Sequence, residues 1–160
     1  MKIKSRHHLK GSDARKVIAS IEPFLEDPSH LRKASLEMAV SDEGVDLIFV
    51  DGQPLMMTVE GEPFFTVLGA IELKPIKRLV VVDAGAVRFV VNGADIMKPG
   101  IVSADPEIAA GDLVVIVEER YKKPLAIGRA LMPGLEMKGE GKAVKSLHHV
   151  GDLIWKGLEG

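Results

Sequence analysis

Between Phe89 and Ile101 the chain reads FVVNGADIMKPGI. An apolar run stops at Asn92-Gly93, and Lys98-Pro99-Gly100 stops the chain again. Glycine takes positive φ and lets another molecule approach the backbone, while proline fixes φ and lacks an N–H. The segment must therefore fold as two sharp turns around a short piece carrying one acid and one base. With so little side-chain chemistry between the glycines, backbone geometry is the informative property.

The chain before this segment reads as a small α+β unit. KIKSRHH alternates weakly and predicts a strand with Lys2, Lys4 and Arg6 on one face. GSDARKVIASIEPFL predicts a helix with Ser12 as N-cap and Val17, Ile18, Ile21, Phe24 and Leu25 as its apolar stripe, bent or ended at Pro23. SLEMAVS predicts a strand burying Leu36, Met38 and Val40. VDLIFV and LMMTV are joined by Asp51-Gly52, a strong hairpin signal. FFTVLGAIEL predicts a short helix burying Val67, Leu68 and Ile71.

KPIKR (74–78) sets a proline between bases and marks a domain boundary: residues 1–74 as an N-terminal α+β domain, residues 75–160 as a second domain. Beyond it RLVVV, DLVVIV, LAIGRALM, AVKSLHHV and LIW are short β-type runs separated by turn residues, the spacing of a small barrel. In LAIGRALM, Ala126, Gly128, Ala130 and Met132 share a face, and small side chains suit a tightly curved wall. Trp155 falls in an apolar run and is expected in the core. AGAVRFVVNG fits two structures: its β-branched residues favour a strand, yet Asp83 is placed to cap a helix and Gly93 to end one.

Several chemistries are missing. No cysteine occurs, which excludes disulfides, thiol catalysis and cysteine-ligated zinc. No phosphate-cradling, dinucleotide-binding, nucleophile-elbow or HExxH motif occurs. The doublets His7-His8 and His148-His149 would point to opposite faces of a strand, so neither offers a metal two ligands. The expectation is no cofactor and no metal. No apolar run approaches a membrane span and no secretory signal is visible, so a cytoplasmic protein with no membrane partner is expected. Net charge is only −2, but residues 1–16 hold six Lys/Arg against Asp13, a local basic patch.

VVVDAGAVRFVVNGADIMKPGI (80–101) resembles the signature of the PUA domain, an RNA-binding fold. The matching positions are Asp83, Gly85, Ala86, Gly93, Ala94, Asp95, Ile96, Met97, Pro99, Gly100 and Ile101. AGDLVVIVEE, PLAIGRAL and GKAVKSLHHVGDLIW are similar to the later strands of that fold, the last as its closing pair. The resemblance implies a PUA-type mixed β-barrel over residues 75–160. An α+β unit leading through GEPFFTVLGAIELKP into such a barrel resembles the malignant T-cell-amplified and ligatin-type translation factors, in the two-domain form typical of archaea.

That likeness implies RNA binding in translation without catalysis. The expected partners are rRNA or tRNA, the small ribosomal subunit and a translation-factor protein, during initiation, reinitiation or recycling. It implies an RNA groove along the glycine-rich segment and the closing strand. Gly93, Ala94 and Gly100 would keep its floor low, Asp95 and Met97 would lie along it, and Arg88, Lys98, Lys142 and Lys145 would meet phosphates. The alternatives are an RNA-modifying enzyme or factor that uses the barrel to hold its substrate, and a protein-interaction adaptor. RNA is read mainly at single strands, ends and irregular helices, so a tRNA 3′ tail or an rRNA loop suits such a groove better than duplex.

Overall fold

The computed structural model describes residues 1–159, with side chains through Leu158. They gather into two compact units, one built from Met1–Ile76 and the chain's end from Lys156, the other from Lys77–Trp155.

The first unit is an antiparallel meander, β1 (Ile3–His8), β2 (Leu36–Ser41), β3 (Asp46–Val50), β4 (Gln53–Val59) and β5 (Glu62–Phe65), in sheet order 1-2-3-4-5. The helices α1 (Gly11–Ile21), α2 (Ser29–Arg32) and α3 (Val67–Leu73) complete it. Asp51-Gly52 makes the β3–β4 hairpin with φ of 49° and 85°, the double-positive geometry of a type I′ turn. Thr66 caps α3 from a fully buried position: its hydroxyl accepts from Gly69 N at 2.9 Å and donates to the Pro54 carbonyl at 2.9 Å. Gly69 has no room for a side chain, since a Cβ there would stand 1.7 Å from Leu55 O. Ile21, Leu36, Ile48, Met56 and the edge-to-face pair Phe64–Phe65 fill the interior.

Several local expectations change here. The cap of α1 is Lys10, with no side-chain bond, so Ser12 lies inside the first turn. In β2 the buried positions are Leu36, Ala39 and Ser41, with Met38 and Val40 only half-buried. Phe64 and Phe65 belong to β5, and α3 buries Val67, Gly69 and Ala70 while Leu68 and Ile71 are half-buried. Close approach to β4 selects the small face of that helix over its larger residues. In β1 a register shift between Ile3 and Ser5 breaks the simple alternation of Lys2, Lys4 and Arg6.

The second unit is a six-stranded mixed sheet curled into a nearly closed barrel. Its strands are β6 (Leu79–Val82), β7 (Ile96–Met97), β8 (Ile101–Ala104), β9 (Leu113–Glu118), β10 (Pro124–Ala130) and β11 (Lys142–His149). Their order is β7-β11-β10-β9-β6-β8, with β6–β9 the parallel pair. The two outermost strands, β7 and β8, are consecutive in the chain and joined by the 3-10 turn Lys98–Gly100. Lys98-Pro99-Gly100 is therefore the corner where the ring of strands meets itself. Val80, Val82, Val114, Ile116, Ala126 and Val144 fill the core. Gly128 lets β10 and β11 close up, since a Cβ there would stand 2.5 Å from Val144 Cγ1 and 2.7 Å from Lys145 O.

AGAVRFV is a helix, α4 (Ala84–Val90), begun by Asp83, whose carboxylate accepts from Ala86 N. The LIW run is a helix too, α5 (Leu153–Glu159), and Trp155 is half-buried rather than core. Asp152 accounts for this: its carboxylate accepts the N–H of Trp155 at 2.7 Å, which starts a helix where apolar composition alone read as a strand.

Candidate functional site

The segment from Asp83 to Ile101 is built from its two ends inward. Asp83 fixes the start of α4 by accepting from Ala86 N at 2.9 Å. At the other end Gly93 N donates to Val90 O and Ala94 N to Phe89 O, each at 3.0 Å, the paired bonds of a Schellman-type stop. Gly93 has φ +91°, so this stop selects glycine. The chain then turns back as β7, pairing Ile96 with Val144 and Met97 with Lys142.

Asp95 holds that return in register. It accepts the N–H of Ser146 at 2.8 Å, and its other oxygen pairs with Lys142 Nζ at 2.8 Å. The Lys142 ammonium, with the Ser146 N–H, holds the Asp95 carboxyl below the usual carboxylate range. The corner is tied on both sides: Lys98 N donates to Gly141 O at 2.8 Å, and Asp83 N to Gly100 O at 2.9 Å. Gly100 packs against α4, with an added Cβ falling 3.0 Å from the Cβ of Ala86.

These elements enclose a cleft of about 460 Å³. One wall is α4, through Gly85, Ala86, Phe89 and Val90; the other is Ala94, Asp95, Ile96, Met97, Pro99 and Gly100. Its walls are mostly apolar, and Phe89 and Met97 stand at its rim, 53% and 47% exposed. Apolar clefts with a few placed polar groups are where proteins take ligands.

The residues singled out from sequence separate here. Ala94, Asp95, Met97 and Gly100 line the cleft. Gly93 does not: a side chain there would point at His149, with Cβ 3.0 Å from its Nε2. Lys98 lies in the corner turn and Lys145 on β11, neither with an ion pair among the described residues. Lys142 is committed to Asp95. Arg88 is exposed on α4, its guanidinium 4.8 Å from the centre of the Phe89 ring. Phe89 itself was missed, because its place beside Gly85 on one helix face appears only once the segment is taken as helical.

Both carboxylates of the cleft, Asp83 and Asp95, already serve backbone N–H groups. His148 is fully buried with its Nδ1 3.0 Å from Asp152, and among the described residues no group of three or more His, Asp or Glu side chains is placed to hold a metal ion. No helix among the described residues is long and apolar enough to cross a membrane.

A family model for the PUA domain matches residues 78–151. Translation machinery-associated protein 20 of Saccharomyces cerevisiae is 32% identical over 132 residues, covering 78% of this chain and 73% of that protein. Malignant T-cell-amplified sequence 1 of Rattus norvegicus is 28% identical over 141 residues, covering 84% and 77%. Among solved structures, a hypothetical protein of Pyrococcus horikoshii superposes with a TM-score of 0.87 at 38% identity, covering 96% of this chain and 99% of its own.

Proposed function

The chain belongs to the PUA-domain family that includes translation machinery-associated protein 20 and malignant T-cell-amplified sequence 1, and on that premise we propose that it binds RNA in translation. Its target is an unpaired segment, in small-subunit rRNA or at a tRNA 3′ end, and it acts by binding without catalysis. The observation that carries this reading is the cleft beside α4, apolar within and rimmed by Phe89 and Met97. Unpaired bases have apolar faces to bury there, while Lys98 in the corner turn and exposed Lys145 on β11 offer ammonium groups to phosphates.

The same geometry supports binding over catalysis. Asp83 and Asp95 are the cleft's two carboxylates, and both hold up the fold. A general acid or base needs a carboxyl with its proton chemistry still available.

Fluorescence anisotropy of the full chain with single-stranded RNA, duplex RNA and a tRNA 3′-end oligonucleotide tests the proposal. Ala94→Glu and Met97→Glu place a carboxylate at exposed positions of the cleft without entering the core. Each is expected to weaken single-strand binding at least about tenfold, the equivalent of about 1.4 kcal/mol, with an unchanged melting temperature. Undiminished RNA affinity in both folded variants overturns the site. Preference for duplex over single strand overturns the target class. Sedimentation of the protein with purified small subunits separates an rRNA target from a free tRNA end.

A further inference from the structure

Helix α4 has a second cleft on its other side. Ala84 and Val87 line it together with Glu118, Glu119, Arg120 and Tyr121 from the turn between β9 and β10, and its volume is about 570 Å³. Gly85, Ala86, Phe89 and Val90 face the first cleft, so the helix stands as a ridge between the two. Tyr121 is 80% exposed. Among the described Phe, Tyr and Trp residues, it and Phe89 are the two that are largely exposed, Phe89 on α4 and Tyr121 beside it.

The turn that carries Tyr121 is rigid. The carboxylate of Glu118 folds back over its own turn and accepts the backbone N–H groups of Arg120, Tyr121 and Lys123. Glu118 N donates to Lys123 O at 3.1 Å, and Lys122 takes a left-handed φ of 56°. A turn fixed by three bonds to one carboxylate presents its ring in a defined place, although that ring adds almost nothing to the core. With the Glu118 carboxylate tied to the turn's own N–H groups, exposed Arg120, Lys122 and Lys123 stand against one further acid, Glu119. Exposed Arg88 sits on the ridge itself.

We propose that Tyr121 is a base-stacking platform at the far end of the RNA path: a single strand seated in the first cleft crosses α4 over Arg88 and stacks a further base on the Tyr121 ring, with Arg120, Lys122 and Lys123 on its phosphates. The proposal rests on the RNA-binding reading of the first cleft. The span is short, because a helix with its side chains is ~10–12 Å across, a distance that a few extended nucleotides bridge. Stacking on one aromatic ring is strong and tolerant of sequence, so this second contact adds length-dependent affinity with little base preference.

The experiment titrates the full chain with uridine oligonucleotides of increasing length, using the wild type, Tyr121→Ala, Tyr121→Phe and the cleft variant Ala94→Glu. Tyr121 is so exposed that its replacement leaves the fold intact. The wild type is expected to gain about fivefold or more in affinity once the strand is long enough to cross the helix. Tyr121→Ala should lose that gain and keep wild-type affinity for the shortest ligands, and Tyr121→Phe should retain it. If Tyr121→Ala matches the wild type at every length while Ala94→Glu loses binding, the extended path is wrong and the first cleft stands. If the wild type binds no oligonucleotide of any length, the RNA-binding reading fails and this proposal with it. Equal losses for Tyr121→Ala at short and long lengths overturn the division into two contacts.

Discussion

Gly93→Ala discriminates a turn residue from a binding residue. The methyl group meets two costs. At φ +91° an L side chain is strained by about 1 kcal/mol. The new Cβ also lies 3.0 Å from His149 Nε2. That ring cannot retreat freely, since His149 Nδ1 donates to the Val150 carbonyl at 2.8 Å. Moving it a few tenths of an ångström is equivalent to an off-rotamer side chain, roughly 0.5–1.5 kcal/mol. The total is about 1.5–2.5 kcal/mol, which for a chain of this size lowers the melting temperature by roughly 3–10 °C. Urea denaturation of the wild type, Gly93→Ala, His149→Ala and the double variant separates the two costs. In the His149→Ala background only the backbone share, about 1 kcal/mol, should remain. RNA affinity per folded molecule should not change, because the methyl group faces His149 and not the cleft. A Gly93→Ala protein as stable as the wild type refutes the strain argument, and equal costs in both backgrounds refute the contact. Lost RNA affinity at full stability refutes the assigned direction of the side chain.

Asp95→Asn should destabilise the protein at neutral pH and approach the wild type in acid: the depressed folded pKa means the aspartate's contribution is full above the unfolded carboxylate pKa and is lost as pH falls through the folded value, a window below about pH 4 that thermal melts can follow. Gly128→Ala drives a methyl group into Lys145 O and Val144 between β10 and β11, so denaturant melts should show a loss of about 1–3 kcal/mol, and an unchanged midpoint contradicts the packing. Lys98→Ala and Lys145→Ala should each flatten the salt dependence of single-strand RNA binding, by about 0.7 in log–log slope per lost phosphate contact, while Arg6→Ser should leave the slope unchanged because Arg6 already forks onto Glu37 at 2.8 and 3.2 Å.

The elements that could be read from sequence were those whose signals are local. Asp51-Gly52 needs only its two positive φ angles to make the hairpin. Asp83 and Gly93 offer a helix over AGAVRFVVNG against the strand that its β-branched residues favour, and the structure follows the capping signals. The ordered residues from Asp83 to Ile101 are specific enough to identify the barrel from sequence. What failed depends on partners distant in sequence. The face that α3 buries is chosen by the approach of Leu55, fourteen residues before Gly69, and hydrophobic periodicity favoured the bulkier Leu68 and Ile71 instead. Trp155 is the exception: Asp152, three residues before it, is the same local cap as Asp83, and the apolar reading of LIW passes over it. Lys142 looked like a phosphate ligand until strand pairing set it beside Asp95.

The glycine-rich segment joins fold and site in one piece of chain. Lys98-Pro99-Gly100 links the two outermost strands of the barrel, so its conformation is set by closure of the sheet. That same corner is one wall of the cleft, and α4, stopped by Gly93, is the opposite wall. Each tie that closes the barrel therefore also fixes the width of the cleft: Asp83 N to Gly100 O, Lys98 N to Gly141 O, and Ser146 N to the Asp95 carboxylate. A cleft held this way loses little conformational freedom when a ligand enters, which favours affinity from a small contact area. On the proposed reading, substitutions at Asp83, Asp95 or Gly100 are therefore expected to change fold and binding together. Ala94 and Met97, like Phe89, line the cleft with exposed side chains, and on the proposed reading binding is expected to change there without the fold.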